Sequence, residues 1–227
     1  MKAFTVALVG GDGAGKTTVA RDLERSGDPV VCRYLYMGQS VLSSDRALPT
    51  SRLARAAKER SAEPDQPKPP KGSRKPRGKI RTALGLANRI AEATWRRILI
   101  WRTTRRGLVV VCDRHFYWEA VTYAGDPQTG GPRFDRFEIA VMRGLGEPDL
   151  VIFLDAPAEV MFARKGETSV RRLERRRAAI ATQGERTRHF VRIDANRPYD
   201  EVLADARAAI SAFAAARGHA ASRVAGG

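Results

Sequence analysis

The segment that most constrains this chain is a glycine-rich stretch near its N-terminus, Gly10-Gly11-Asp12-Gly13-Ala14-Gly15-Lys16-Thr17. It fits the pattern G-x-x-x-x-G-K-[ST], in which glycines let backbone N–H groups turn inward around phosphate oxygens. The apolar run Ala3–Val9 before it indicates a buried strand, and Lys16–Arg25 after it favours a helix that ends near Gly27. The segment therefore predicts a nucleoside triphosphate site, against the alternative of a glycine-rich turn that matches the pattern by chance.

The metal expected at this site is Mg²⁺ that arrives with the nucleotide. Lys16 is expected to reach the terminal phosphates, and the hydroxyl of Thr17 to hold Mg²⁺. The Cys and His residues form no ligand cluster in the sequence, so no separate metal site is predicted. Cys32 and Cys112 lie in apolar runs and are expected to be buried, reduced thiols.

The net charge of +16 is concentrated in two segments. Residues 52–106 contain 17 basic and 4 acidic residues, which gives +13, and residues 164–177 contain 7 basic and 2 acidic residues, which gives +5. The rest of the chain therefore carries −2. The scaffold is close to neutral, and the two basic segments are the candidates for contacts with anions.

Apolar runs alternate with helical patterns along the chain. Leu108–Asp113 and Leu150–Asp155 are apolar until a terminal carboxylate, as in central parallel strands. Spacings of three and four from Ile80 to Arg102 predict a long amphipathic helix. Further strands are predicted over 30–35 and 189–193, and further helices over 51–60, 118–124, 135–145, 158–163, 171–183 and 198–217. This alternation predicts an α/β fold, the three-layer sandwich of P-loop NTPases, with a five-stranded parallel sheet and helices on both faces.

The chain is expected to form one domain over residues 1–217. Residues 61–79 contain five prolines and six basic residues but no large apolar side chain, which predicts a mobile insertion. Residues 218–227 are small and polar, which predicts a disordered tail. Because no signal peptide and no apolar run of membrane-spanning length is found, we expect a cytoplasmic protein that does not contact a membrane.

An ordered set of motifs resembles the thymidylate kinase family. The set comprises the loop Gly10–Thr18, the strand end Asp113-Arg114-His115, the run Pro148–Asp155 with the basic segment after it, and Asp194–Pro198. The resemblance covers nearly the whole chain except residues 61–79 and the tail. It implies a kinase that transfers the γ-phosphoryl group of ATP, with Mg²⁺, to a nucleoside monophosphate or a related acceptor.

The resemblance also implies a role for each matching residue. Asp12 would face the acceptor sugar, Asp113 would act with Thr17 on Mg²⁺, and Arg114 would clamp the acceptor phosphate or the transferring group. Residues 164–177 would form a closing lid, and residues 196–198 would lie beside adenine. The implied catalytic residues are Lys16, Asp113, Arg114, Arg164, Arg171 and Arg172; the implied nucleotide-binding residues are Gly10, Asp12, Gly13, Ala14, Gly15, Lys16, Thr17, Thr18, Asn196, Arg197 and Pro198.

Charge balance gives the lid independent support. The transferring phosphoryl group spreads negative charge over its oxygens, and no arginine stands among Gly11–Ala14 to help Lys16. Further cations must therefore come from another part of the chain. Asp155, in contrast, precedes Ala156-Pro157 in a pattern that favours a helix N-cap.

The acceptor side departs from the family pattern. The Arg-Glu-Pro-Gly-Gly motif that usually follows the second strand is replaced by Tyr36–Ser40, and the usual paired serines and Tyr-Gln are absent from Phe116–Ala124. Glu92 stands where the family has a helix arginine, with Arg89 one turn away. We therefore expect an acceptor other than dTMP, bearing either a phosphate or a hydroxyl.

Two alternatives to a small-molecule kinase stay open at this point. The basic segment 52–106 could bind nucleic acid, either as the main function or in a kinase that acts on a nucleotide within a polymer. The chain could also bind ATP as a scaffold without catalysis. The expected partners are ATP and a small acceptor, and a homodimer is a further open alternative.

Overall fold

Five parallel strands form one sheet in the computed structural model, which describes residues 3–27, 30–37, 79–123, 132–166 and 168–224. The strands lie in the order β2-β3-β1-β4-β5, so that β1 is central. Every residue of β1, β3 and β4 is buried, which explains why their sequences are almost continuously apolar. The strands are β1 (Thr5–Val9), β2 (Cys32–Tyr36), β3 (Val109–Asp113), β4 (Leu150–Asp155) and β5 (Phe190–Asp194).

Seven helices occur within these ranges and cover both faces of the sheet. Val6 and Leu8 of β1 point to one apolar cluster, and Ala7 and Val9 point to the other. The chain therefore has the predicted α/β architecture, with a parallel sheet between two helical layers. The helices are α1 (Lys16–Ser26), α2 (Lys79–Thr104), α3 (Phe116–Tyr123), α4 (Pro132–Leu145), α5 (Ala158–Lys165), α6 (Val170–Gly184) and α7 (Tyr199–Val224).

The carboxyl ends of the strands meet at one edge of the sheet. Leu8 of β1 pairs with Asp113, and Val9 pairs with Phe153, so the loops that follow β1, β3 and β4 are neighbours. The chain leaves β1 toward β2 on one side of the sheet and leaves β4 toward β5 on the other. Ligands of open α/β sheets bind at such a reversal of direction.

Helix α6 lies across this edge rather than on one face. Leu173, near its start, packs in the cluster that contains α1 and α7, whereas Ile180 packs in the opposite cluster with α2 and α3. Helix α6, which includes residues 170–177 of the predicted lid, is therefore tied to both apolar layers by buried side chains.

Most predicted elements are confirmed to within a few residues, including the long helix, which runs over Lys79–Thr104. Helix α7 continues to Val224, past its predicted end at Arg217 and into the segment predicted as a disordered tail. Alanine, the strongest helix former, recurs through this stretch and offsets the cost of Gly218. The helix predicted over 51–60 and the insertion, except Lys79, lie outside the described residues. No helix in the described ranges is both long and apolar enough to cross a bilayer.

Candidate functional site

The glycine-rich loop connects the end of β1 to the first turn of α1, at the carboxyl edge of the sheet. Gly13 has a positive φ of 96°, and a Cβ there would lie 2.4 Å from the carbonyl oxygen of Met161 in α5. Gly15 also has a positive φ, 85°, and is the N-cap of α1. Other residue types are strained in this conformation, so glycine is required where the backbone passes α5 and enters the helix.

Lys16 is buried within this loop, with only 6% of its surface exposed. Its Nζ donates a hydrogen bond of 2.6 Å to the carbonyl oxygen of Gly11. The pKa of Lys16 is lowered to about 8, chiefly by burial; Asp113 opposes this shift, and Arg114 adds to it. The loop therefore shields the Lys16 ammonium from water, and its pKa is lower as a result. Such an environment suits a cation that binds an anion.

Thr17 and Asp113 meet beside Lys16. The Thr17 hydroxyl donates to Asp113 Oδ2 over 2.5 Å, and Asp113 is fully buried at the end of β3. Asp113 Oδ1 is also buried and has no hydrogen-bond partner among the described residues. A hydroxyl and a carboxylate oxygen fit Mg²⁺, which prefers oxygen ligands and is commonly held by one or two protein groups together with substrate phosphates. The described ranges contain no cluster of three His, Cys, Asp or Glu residues that would hold a metal alone.

A cavity of about 490 Å³ opens from the loop toward α5 and the start of α7. The predicted residues that line it are the loop from Asp12 to Thr18, together with Arg114, Arg164 and Arg197. The lining also includes Ala195, Tyr199 and Val202. Gly10, Asn196 and Pro198 were also predicted to bind the nucleotide but are not part of this lining. The lining thus contains most of the predicted nucleotide site and adds Tyr199, which the sequence interpretation missed.

Four side chains of alternating charge form a network next to Lys16. Arg176 donates to Glu119 over 2.6 Å and lies 3.8 Å from Asp12. Arg114 pairs with Asp12 and lies 3.9 Å from Glu119. Burial raises the pKa of Asp12, but Arg114, Lys16 and Arg176 together hold it below its ordinary value. Two guanidinium groups and an ammonium are thereby gathered at one end of the loop.

Arg114 has an unusual backbone for its residue type. Its φ is 64°, and it is the one non-glycine residue with a positive φ in the described part of the chain. Such conformations cost energy and are found disproportionately at functional sites. The strained residue directly follows Asp113, and its side chain pairs with Asp12. Both observations support a functional role for Arg114.

The arginines of α6 that enter the site are different from those expected. Arg171 is exposed, and neither Arg171 nor Arg172 lines the cavity beside the loop. Arg176 is buried instead, because it follows Leu173 by three residues and precedes Ile180 by four, on the apolar face of the helix. That spacing is the sequence signal that could have identified Arg176.

Asp155 holds two arginines rather than capping a helix, so the N-cap interpretation is wrong. The N-cap of α5 is Pro157, and no side chain caps that helix. Asp155 accepts a hydrogen bond of 2.5 Å from Arg177 and one of 2.8 Å from Arg192. Burial raises the pKa of Asp155, yet these two arginines lower it more. The carboxylate therefore fastens α6 to β5 close to the site.

A second, smaller cavity of about 130 Å³ lies between α2, α3 and α4, and we call it the α2 cavity. Arg89 donates two hydrogen bonds to Glu138, of 2.7 and 2.9 Å. Arg96 donates to the carbonyl oxygen of Met37 and lies 3.9 Å from Glu92. The residues that line the α2 cavity are Met37, Asn88, Arg89, Glu92, Ala93, Arg96, Phe116, Glu119, Ala120, Glu138 and Met142.

Glu119 connects the two cavities. It lines the α2 cavity and, through Arg176 and Arg114, belongs to the network beside Lys16. The sequence interpretation did not single it out, since a glutamate in the first turn of a helix is ordinary.

No protein-family model matches the chain, and a search of curated proteins finds no similar sequence.

Proposed function

We propose that this protein is an ATP-dependent phosphotransferase of the P-loop kinase type, related in mechanism to thymidylate kinases. The observation that carries the proposal is the meeting of Lys16 with the Thr17–Asp113 pair in a glycine loop that opens into a cavity of about 490 Å³. A nucleotide phosphate could replace the Gly11 carbonyl oxygen as the partner of Lys16. A metal ion could bind between the Thr17 hydroxyl and the Asp113 carboxylate.

The nucleotide would place its phosphates in the loop Gly10–Thr18. Backbone N–H groups at the start of α1 and the ammonium of Lys16 attract the phosphate oxygens. Thr17 and Asp113 would hold Mg²⁺, which supplies Lewis-acid stabilisation of negative charge on the phosphates. The purine would extend toward Tyr199, whose hydroxyl is fixed by a 2.6 Å hydrogen bond to Asp22.

Transfer of the γ-phosphoryl group would depend on the cations gathered at the loop. In phosphoryl transfer the enzyme acts chiefly by positioning and by stabilising charge on the equatorial oxygens. Arg114 and Arg176 are held beside Lys16 by the shared carboxylates of Asp12 and Glu119. Preorganised cations of this kind stabilise the transition state without a rearrangement of water.

The acceptor would bind in the α2 cavity, because Glu119 joins this cavity to the end of the loop. The expectation from sequence was a nucleoside monophosphate or a related acceptor other than dTMP. The position of the α2 cavity agrees with a small acceptor that approaches the nucleotide from the side of α2 and α3.

Titration of the protein with ATP in the presence and absence of Mg²⁺ tests the proposal. Thr17→Val removes the hydroxyl while keeping the shape of the side chain, and we expect the Mg²⁺-dependent affinity for ATP to fall at least tenfold. Thr103→Val is the matched control, since the Thr103 hydroxyl donates to Leu99 within its own helix. Equal, Mg²⁺-independent affinities for wild type and both variants would contradict the proposed function.

A further inference from the structure

We propose that the acceptor of this enzyme is a small molecule that presents a hydroxyl group and carries no phosphate, such as a sugar, a polyol or a nucleoside. This inference rests on the proposed function and names the substrate class of the same site. It departs from the monophosphate acceptor that the sequence resemblance implies.

The size of the α2 cavity favours a small acceptor. Its volume is about 130 Å³, whereas pockets for drug-sized ligands commonly have roughly 300–1,000 Å³. The cavity is lined both by apolar side chains such as Phe116 and Met142 and by charged groups. It therefore offers an apolar wall for a ring or chain and hydrogen-bond acceptors for hydroxyl groups.

The charges of the cavity disfavour a phosphate. Its lining contains two arginines and three glutamates, a formal charge of −1. Arg89 already makes two hydrogen bonds to Glu138, and Arg96 is bonded to the Met37 carbonyl oxygen with Glu92 nearby. A monophosphate would bring its negative charge against buried carboxylates and would have to displace them from their arginines.

Glu92 strengthens this argument because of its burial. Only 5% of its surface is exposed, so water screens its charge poorly. Carboxylates in such a wall accept hydrogen bonds from hydroxyl groups, which are donors, but they repel phosphate oxygens. The cavity is thus selective by charge for neutral, hydroxylated ligands.

A hydroxyl acceptor also needs a group to take its proton, whereas a phosphate acceptor is already ionised at neutral pH. Glu119 stands at the required place, since it lines the α2 cavity and lies beside the cations of the loop. In the proposed step the acceptor oxygen attacks the γ-phosphorus, the bond from that phosphorus to the bridging oxygen of ADP breaks, and ADP leaves. The hydroxyl proton moves to the Glu119 carboxylate and then to solvent.

The test compares matched acceptor pairs that differ by one phosphate group. ADP release with Mg-ATP is measured for thymidine and dTMP, ribose and ribose 5-phosphate, and glucosamine and glucosamine 6-phosphate. We expect at least one unphosphorylated compound to stimulate ADP release, with a kcat/KM at least tenfold above that of its phosphorylated counterpart. A preference for phosphorylated members, or no stimulation by any unphosphorylated member, would overturn the inference.

Two variants examine the residues that carry the argument. Glu92→Gln removes one buried negative charge, and we expect it to shift the preference toward the phosphorylated member of the pair by about tenfold. Glu119→Gln should lower kcat with the hydroxyl acceptor at least 100-fold. Glu147→Gln is the matched control, because Glu147 is exposed and its ion pair is a local one, with Arg143 one turn away at 3.3 Å. An unchanged preference in Glu92→Gln would count against the charge argument.

Failure of this inference is distinguishable from failure of the proposed function. Binding of Mg-ATP without any acceptor tests the nucleotide site alone. If Mg-ATP does not bind, the proposed function fails. If Mg-ATP binds in a Thr17-dependent manner but phosphorylated acceptors are preferred, only the assignment of a hydroxyl acceptor fails.

Discussion

Replacement of Lys16 with methionine is expected to stabilise the ligand-free protein at neutral pH while it abolishes nucleotide binding. The Lys16 ammonium is buried beside the cations Arg114 and Arg176, and Asp113 and Asp12 compensate it only in part. Methionine has a similar length and no charge, so it fills the same space without the desolvation cost. The variant therefore separates what the lysine does for function from what it does to stability.

The magnitude follows from the pKa of Lys16, which falls from 10.5 to about 8 on folding. Since a change of one pH unit in the pKa corresponds to about 1.36 kcal/mol, burying the charged form of Lys16 lowers the free energy of unfolding by roughly 3 kcal/mol. Methionine also leaves the Gly11 carbonyl oxygen without its 2.6 Å donor, a loss of about 1 kcal/mol. We expect a net gain of about 2 kcal/mol, or roughly 4–8 °C in the midpoint of thermal unfolding.

The gain should vanish at high pH. Below about pH 8 the lysine is charged in the folded and unfolded states, and the full cost is present. Between about 8 and 10.5 the unfolded state keeps the proton and the folded state loses it, so the stability of wild type rises with pH relative to the variant. Above 10.5 both states are neutral, and the difference that originates in the charge disappears.

Urea unfolding of wild type and Lys16→Met at pH 7 and pH 10.5, without nucleotide, measures these differences. Lys165→Met is the control, because Lys165 is exposed and its replacement should change the free energy of unfolding by less than about 0.5 kcal/mol. A variant that is destabilised at pH 7, or a stability difference that does not change with pH, would refute the reasoning.

Three further predictions follow from the described contacts. Gly13→Ala should abolish ATP binding in a calorimetric titration, because the added Cβ would lie 2.4 Å from a carbonyl oxygen. The control Gly144→Ala adds a Cβ in open space within a helix. It should bind ATP normally and gain about 0.5–1 kcal/mol in the free energy of unfolding. Arg176→Gln should lower the free energy of unfolding by about 3 kcal/mol, and the double variant with Glu119→Gln should lose less than the sum of both single variants in urea unfolding. Burial raises the pKa of Asp149, but its arginine and threonine partners lower it more. The stability difference between wild type and Asp149→Asn should therefore be largest above pH 4 and shrink as the pH falls toward 2.

The elements that could be predicted from sequence are those with local signals. The glycine loop, the apolar strands that end at Asp113 and Asp155, and the long amphipathic helix each follow from the residue pattern within a short window. Lys16 and Thr17 could be assigned for the same reason, because their roles depend on the loop in which they stand.

The features that could not be predicted depend on contacts between distant parts of the chain. Asp12 and Arg114 are about a hundred residues apart, and Glu119 and Arg176 more than fifty, yet they form one charge network. Asp155 shows the same limit, since its local sequence favours a helix cap while its partners come from α6 and β5. Long-range ion pairs leave no periodic pattern in a single sequence.

Transfer of a labelled phosphoryl group tests the central claim most directly. The protein is incubated with Mg²⁺, ATP labelled at the γ-phosphate and the matched acceptor pairs, and the label is followed by chromatography. We predict that label moves to an acceptor, that ADP forms in equal amount, and that Lys16→Met abolishes both. Label that remains in ATP or appears only as inorganic phosphate, at a rate that no acceptor changes, would contradict the account.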